Sequence, residues 1–166
     1  MEAIHHKRIF FILIGIVFFF ISCADNIEFT KYKTLEEGYW ESQKNISFEF
    51  LVTDTISPKN LFINIRNNNN YGFSNLYVIT ELNFPSGSTV VDTLQYKMTN
   101  EKGRFLGNGF ANITENKLFY KENKVFPRTG NYTIKIRHAM RKSDEVKPIA
   151  KLDGIQDVGF SIEKIN

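Results

Sequence analysis

The chain is 166 residues long, enough to build one hydrophobic core, and its 21 Lys and Arg against 18 Asp and Glu leave a formal charge of only +3. A balance so even lacks the basic stripe that tracks nucleic acid. One Cys and three His, two of those within the first six residues, exclude a disulfide framework and leave too few ligands for a Cys/His metal site, so no metal or other cofactor is expected.

The first stretch decides where the rest of the chain lives. Lys7 and Arg8 precede an apolar run from Ile9 to Ile21, broken only by Gly15, and Ser22-Cys23 follow at once. Charge, apolar run and small residue in that order make a secretory signal. The run falls short of the roughly 20 residues that cross about 30 Å of hydrocarbon, so a transmembrane anchor is the second reading. Its boundary coincides with the one cysteine, and an unpaired thiol in an exported protein needs its own explanation. Phe20-Ile21-Ser22-Cys23 resembles the lipobox of bacterial lipoproteins, although Phe20 stands where an aliphatic residue is usual. That resemblance implies a signal peptide over residues 1–22 and acylation of Cys23, which would tie the protein to a membrane. Two or more acyl chains hold a protein at a bilayer where one does not.

Residues 23–44 carry few alternating apolar positions and read as a lipidated N-terminus and tether, with the folded domain expected over 45–166. Tyr32, Tyr39 and Trp40 are the exceptions in the tether, either docked onto the domain or seated at the membrane interface, where amphipathic rings are favoured. From Asn45 the period becomes two. Ile46, Phe48, Phe50 and Val52 face one way and Ser47, Glu49 and Thr53 the other, which predicts a half-buried strand. After the break at Asp54 to Asn60, Leu61, Ile63 and Ile65 alternate with Phe62, Asn64 and Arg66, a strand with both faces partly apolar. The Asn67 to Asn70 run ends it. Phe73 to Phe84 predicts a long strand with Leu76, Val78, Leu82 and Phe84 in phase. Pro85-Ser86-Gly87-Ser88 predicts a turn, and Thr89 to Met98 a returning partner with Leu94, Tyr96 and Met98 inward and Asp92 breaking the pattern.

Gly103, Gly107 and Gly109 flank Phe105 and Leu106 in a stretch without the lysine, hydroxyl and helix that a phosphate-cradling loop requires; a bent connection carrying a buried aromatic is expected. Leu118 to Phe126 fits either a strand or a helical turn. Gly130-Asn131-Tyr132 opens a clear strand with Tyr132, Ile134, Ile136 and His138 on one side, and its Gly-x-Tyr start is reminiscent of the tyrosine corner of β-sandwiches. Val158, Phe160 and Ile162 make a last strand. About seven strands with short connections and no long amphipathic helix predict an all-β, two-sheet antiparallel β-sandwich, with a barrel as the alternative.

Catalytic constellations are sparse. His138 lies outside the leader alone and on the apolar side of its strand, which favours a core histidine over a general base. No Gly-x-Ser-x-Gly elbow occurs, and the acidic residues are scattered. The tripeptides beginning at Asn45, Asn112 and Asn131 match the N-glycosylation pattern but follow simply from an Asn- and Thr-rich composition.

Several blocks together carry a family resemblance: Asn60 to Asn67, Ser74-Asn75-Leu76, Asn83 to Gly87 with Asp92-Thr93-Leu94, Gly103 to Gly109, Glu115 to Asn123, Ala139-Met140-Arg141 and Asp157-Val158-Gly159-Phe160. In this order they resemble the GldH family of gliding-motility lipoproteins of Bacteroidetes, with Phe105 where that family would show Trp and only Asp25 and Glu28 as a partial acidic export signal after Cys23. The resemblance implies a lipid-anchored, non-enzymatic envelope component required for gliding and linked to type IX secretion. It brings no catalytic residue, only the acylated Cys23. Asp54-Thr55-Ile56 and Asp92-Thr93-Leu94 resemble the O-glycosylation motif of exported Bacteroidetes proteins, which makes Thr55 and Thr93 candidate sugar sites. The expected role is a periplasmic docking module for other motility or secretion components, on the inner or outer membrane, with Tyr71, Phe73 and Phe119 as candidate partner contacts. A carbohydrate- or peptide-binding surface lipoprotein is the competing class, and a hydrolase the third.

Overall fold

The computed structural model describes residues 26–143 and 145–165, without the side chain of Phe110; the leader and Cys23 lie outside the described residues. In chain order the strands are β1 (Ile27–Thr34), β2 (Tyr39–Glu41), β3 (Ile46–Val52), β4 (Lys59–Asn67), β5 (Asn75–Asn83), β6 (Thr89–Lys97), β7 (Asn108–Phe110), β8 (Ile113–Lys124), β9 (Gly130–His138), β10 (Lys151–Asp153) and β11 (Ile155–Lys164). Neighbours pair antiparallel in a five-stranded sheet β1-β11-β4-β8-β7, a four-stranded sheet β3-β9-β5-β6 and a short β10-β2 ladder. The two large sheets share no ladder, so the arrangement is a sandwich and not a barrel.

Period-two patterning places the core as expected. β3 turns Ile46, Phe48, Phe50 and Val52 inward, β4 Leu61, Ile63 and Ile65, β9 Tyr132, Ile134 and Ile136, and β11 Val158, Phe160 and Ile162. The rings of Phe48, Phe50, Phe126, Tyr132 and Phe160 interlock in tilted, stacked and edge-on pairs with centroids 5.0–6.4 Å apart. The β5–β6 hairpin closes as predicted, with Asn83 opposite Thr89 and Gly87 at φ 84° in the turn, a conformation that glycine adopts without steric cost. Asp92, which broke the pattern of β6, accepts from the Tyr120 hydroxyl at 3.0 Å and pairs with Lys121 at 2.9 Å, so the two sheets are stitched by a polar seam where hydropathy expects grease. The Tyr96 hydroxyl adds a bond to the Phe119 carbonyl at 2.6 Å. The tyrosine corner is present: the Tyr132 hydroxyl donates to the Arg128 carbonyl, four residues upstream, at 2.9 Å.

Two expectations need correction. The folded body begins at Ile27, not Asn45, because the stretch expected as a tether supplies β1, which pairs with β11 from Asp157 to Glu163, and β2. The signal was hidden by an edge strand's chemistry: after a bulge between Ile27 and Phe29, the inward register of β1 reads Phe29, Lys31, Lys33. The lysine ammoniums lie over the rings of Phe29 and Phe48 at 5.5 and 6.0 Å, their stems covering the core while their charges discourage another strand from pairing there. Strands β7 and β10 are the other additions to the expected seven, each three residues long and so without readable period. The ambiguous segment around Leu118 is a strand of twelve residues, β8. Tyr39 and Trp40 dock, as one of the two readings had it. Trp40 is fully buried and its Nε1 donates to the Lys44 carbonyl at 3.1 Å.

Candidate partner surfaces

The outer face of the five-stranded sheet is closed by a network built across four strands. Gly159 of β11 has no side chain to hold off its neighbour, so the ring of Tyr32 on β1 lies across it; a Cβ there would sit 2.6 Å from Tyr32 Cδ1. Across that gap the Tyr32 hydroxyl donates to Glu115 Oε1 of β8 at 2.6 Å, Arg66 Nε of β4 donates to Glu115 Oε2 at 2.9 Å, and the guanidinium stacks 4.2 Å over the Tyr32 ring. Burial and the adjacent Glu115 push the Tyr32 phenol up to about 12. Burial works to raise the Glu115 carboxyl, but Tyr32 and Arg66 outweigh it and hold it below the ordinary value. Farther along, Asn64 Nδ2 donates to Ser161 Oγ at 3.0 Å and Lys117 pairs with Glu163 at 2.6 Å while lying 4.2 Å over Phe62. This face is satisfied internally. Among the described residues its exposed aromatic is Phe119, 50% accessible and packed on Phe62 at 4.5 Å, with Ile27 and Ile113 exposed at the two ends of the same face.

The outer face of the four-stranded sheet is different. β5 carries Tyr77 and Ile79 on the side that faces away from the core, and the segment after β9 brings Ala139, Arg141 and Lys142 beside them. With Phe73 as a wall and Thr93 of β6 opposite Ile79, they enclose an open basin of about 790 Å³, apolar at its floor and cationic at its rim. β6 borders it as an edge strand, its main-chain ladder shared with β5 alone, and shows Val90 and Val91 to solvent.

The three candidate contacts do not converge. Tyr71 is a core residue, 3% accessible, its hydroxyl donating to the Asn75 carbonyl at 2.7 Å. Phe73 is half-buried at the basin, and Phe119 stands on the opposite sheet. Thr93 is exposed on β6, whereas Thr55 is half-buried in the turn between β3 and β4. Sequence reasoning passed over Tyr77, Ile79 and Arg141; the legible signal was that β5 has apolar residues in both phases. The glycine-rich stretch is the bent connection expected, with Phe105 packed against the core and a Cβ on Gly107 only 2.3 Å from the Glu115 carbonyl.

His138 is fully buried with its ring edge-on to Trp40 at 5.6 Å, and burial pushes its pKa down to about 4, an effect that the Trp40 backbone offsets only in part. A group sealed in that way has no route to a substrate. Among the described residues no cluster of three His, Cys, Asp or Glu stands ready to hold a metal ion. At the end of the sandwich where β1 starts, the Lys59 ammonium is buried against Glu28 and Asp54; burial lowers its pKa, but the two carboxylates more than offset this and hold it above the ordinary value.

Comparison with known proteins gives the lineage. Residues 27–162, essentially all of the described body, match the family model of the GldH lipoprotein. A gliding motility lipoprotein GldH homolog of Christiangramia forsetii is 45% identical over 154 residues, covering 93% of this chain and 94% of that protein. The gliding motility lipoprotein GldH of Flavobacterium johnsoniae is 43% identical over 143 residues, covering 86% and 88%. The VP2 subviral particle of infectious bursal disease virus aligns over 83% of this chain and 30% of that one at 14% identity and a TM-score of 0.37, too distant to carry an argument. On the family match and the two relatives, this chain belongs to the GldH lipoprotein family.

Proposed function

We propose that this gliding-motility lipoprotein acts without chemistry of its own, as a docking module that Cys23 anchors in the cell envelope facing the periplasm and that holds other motility or type IX secretion components. Membership of the GldH family supports the setting, and the observation that carries the docking role is the basin beside the open edge of β6. An apolar floor of Tyr77 and Ile79 with Arg141 and Lys142 at its rim suits an extended or looped protein segment bearing acidic residues, and a neighbouring free edge lets such a segment add main-chain hydrogen bonds. Anchoring raises the effective concentration for membrane-bound partners without a new contact.

A photo-crosslinking residue at Thr93 in living cells tests this directly. Covalent capture of an envelope protein of the motility or secretion machinery is expected at Thr93 and not at Thr30, which is exposed on the outer face of the opposite sheet. Tyr77→Ala with Arg141→Glu should then abolish spreading while leaving the protein's level and acylation intact. The aromatic wall of Phe73 and Tyr77 beside Asn75 and Thr93 also has the makings of a sugar or peptide platform. Recovery of glycan or free peptide alone at Thr93 would replace the docking reading with that one.

A further inference from the structure

The two ends of the sandwich differ in what they expose. Strand register puts the start of β1, the end of β11, the β3–β4 turn, the end of β8 and the start of β6 at one end. There Ile27, Leu51, Ile56, Val90, Val125 and Ile165 are exposed, Ile56 at 84%. The opposite end shows Leu106, Ile113 and Val146. Basic side chains ring the first end: Lys124, Arg128 and Lys164. Of the acids there, Glu28 and Asp54 are engaged with the buried Lys59 and Glu163 with Lys117, leaving Glu49 and Glu122 exposed.

Chain length fixes what this end faces. Cys23 precedes Asn26 by three residues, which span at most about 11 Å when fully extended. If acyl chains on Cys23 enter a bilayer, the end bearing Ile27 and Ile56 cannot leave the headgroup region. Exposed aliphatic side chains bordered by cations match such a layer, whose apolar boundary and anionic phosphates reward both.

We propose that this end is a membrane-contact surface: Ile56, Val125 and Ile165 enter the headgroup layer, Lys124, Arg128 and Lys164 meet lipid phosphates, and the sandwich stands upright on the bilayer. The proposal rests on acylation of Cys23 and goes beyond it, since an anchor alone leaves the body free to tilt about its point of attachment.

The test uses the full acylated chain in vesicles of phosphatidylethanolamine and phosphatidylglycerol containing a brominated acyl-chain lipid. Ile56→Cys and Val146→Cys, at sites 84% and 85% exposed and at opposite ends, are each labelled with a thiol-reactive fluorophore. The expected result is loss of most of the fluorescence at position 56 and no change at position 146, with the parent chain taking no label because its only thiol is acylated. Equal quenching at both positions, or none at 56, in a chain whose parent stays unlabelled would overturn the contact surface and leave the anchor intact. A parent that takes the label and elutes from the vesicles would remove the anchor, and the proposal with it.

Discussion

Gly159→Ala is the sharpest probe of the network on the five-stranded sheet, because its sign depends on a residue on another strand. The added methyl would sit 2.6 and 2.7 Å from two carbons of the Tyr32 ring, so the ring must leave. Leaving breaks the 2.6 Å bond to Glu115, a charge-assisted bond whose value is near the low end of its range because Glu115 is well hydrated, about 1 kcal/mol, and a cation–π contact with Arg66 of about 0.5 kcal/mol. Replacing glycine in a strand returns about 0.5 kcal/mol of chain entropy. The net expectation is a loss of about 1 kcal/mol, or roughly 3 °C in Tm for a domain of this size. In a Tyr32→Ala background no ring occupies the space, and the same substitution should stabilise by about 0.5 kcal/mol. Urea unfolding of the four chains of this cycle measures both values. Destabilisation in both backgrounds would refute the reasoning and point instead to the Lys31 carbonyl, 3.1 Å from the same methyl.

Tyr132→Phe removes the hydroxyl that ties β9 to Arg128 and should cost about 1 kcal/mol of unfolding free energy, read as a lower urea midpoint, with no change of fold by circular dichroism. His138 sets a pH dependence: its folded pKa near 4 lies below the unfolded value near 6.5, so its contribution is complete above about 6.5 and is lost as pH falls through 4. That contribution is roughly 3 kcal/mol, and the stability difference between the parent and His138→Phe, followed from pH 7.5 to 4, should shrink by about that amount. At the buried lysine the two halves of the pair are unequal. Glu28→Gln leaves an ammonium in the protein facing only Asp54 at 3.4 Å and should cost about 2 kcal/mol, whereas Lys59→Met leaves two carboxylates that water can reach and should cost about half as much. Thermal unfolding that ranks these two variants the other way would show that Lys59 is hydrated.

What could be read from the residues and what could not divides along a physical line. Strands with one wet face and one dry face announce themselves, which is why β3, β9 and the β5–β6 hairpin lie where alternation put them. β1 does not, because at a sheet edge the inward positions hold lysines whose stems are apolar and whose charges are not. The Tyr32, Arg66 and Glu115 cluster was illegible for a related reason: its members lie 83 and 49 residues apart, and only the strand order β1-β11-β4-β8 brings them together. Of the three aromatics chosen as candidate contacts, local sequence could not separate Tyr71, whose hydroxyl is satisfied by the Asn75 carbonyl at the start of β5, from Phe119, whose neighbours across the ladder leave it outside. The basin was half legible, since Tyr77 and Ile79 occupy the polar phase of β5, but Arg141 and Lys142 reach it only because the chain beyond His138 keeps running beside β5, the Ala139 N–H donating to the Tyr77 carbonyl at 2.8 Å.

Finding a strand where a tether was expected also changes how the surfaces are presented. A slack linker would let any face of the sandwich meet any partner near the membrane, and anchoring would then contribute only concentration. With β1 beginning only four residues after Cys23, the body has almost no slack. β5 runs nine residues from the anchored end to the far one, about 30 Å. The basin lies on the far half of that strand, near Asn75 to Ile79, so an upright body would carry it roughly 20 Å above the headgroups, out of reach of lipid. A membrane-standing end and a partner-holding basin at opposite ends of the same strands are therefore compatible, and the short connection to Cys23 is what would keep them so.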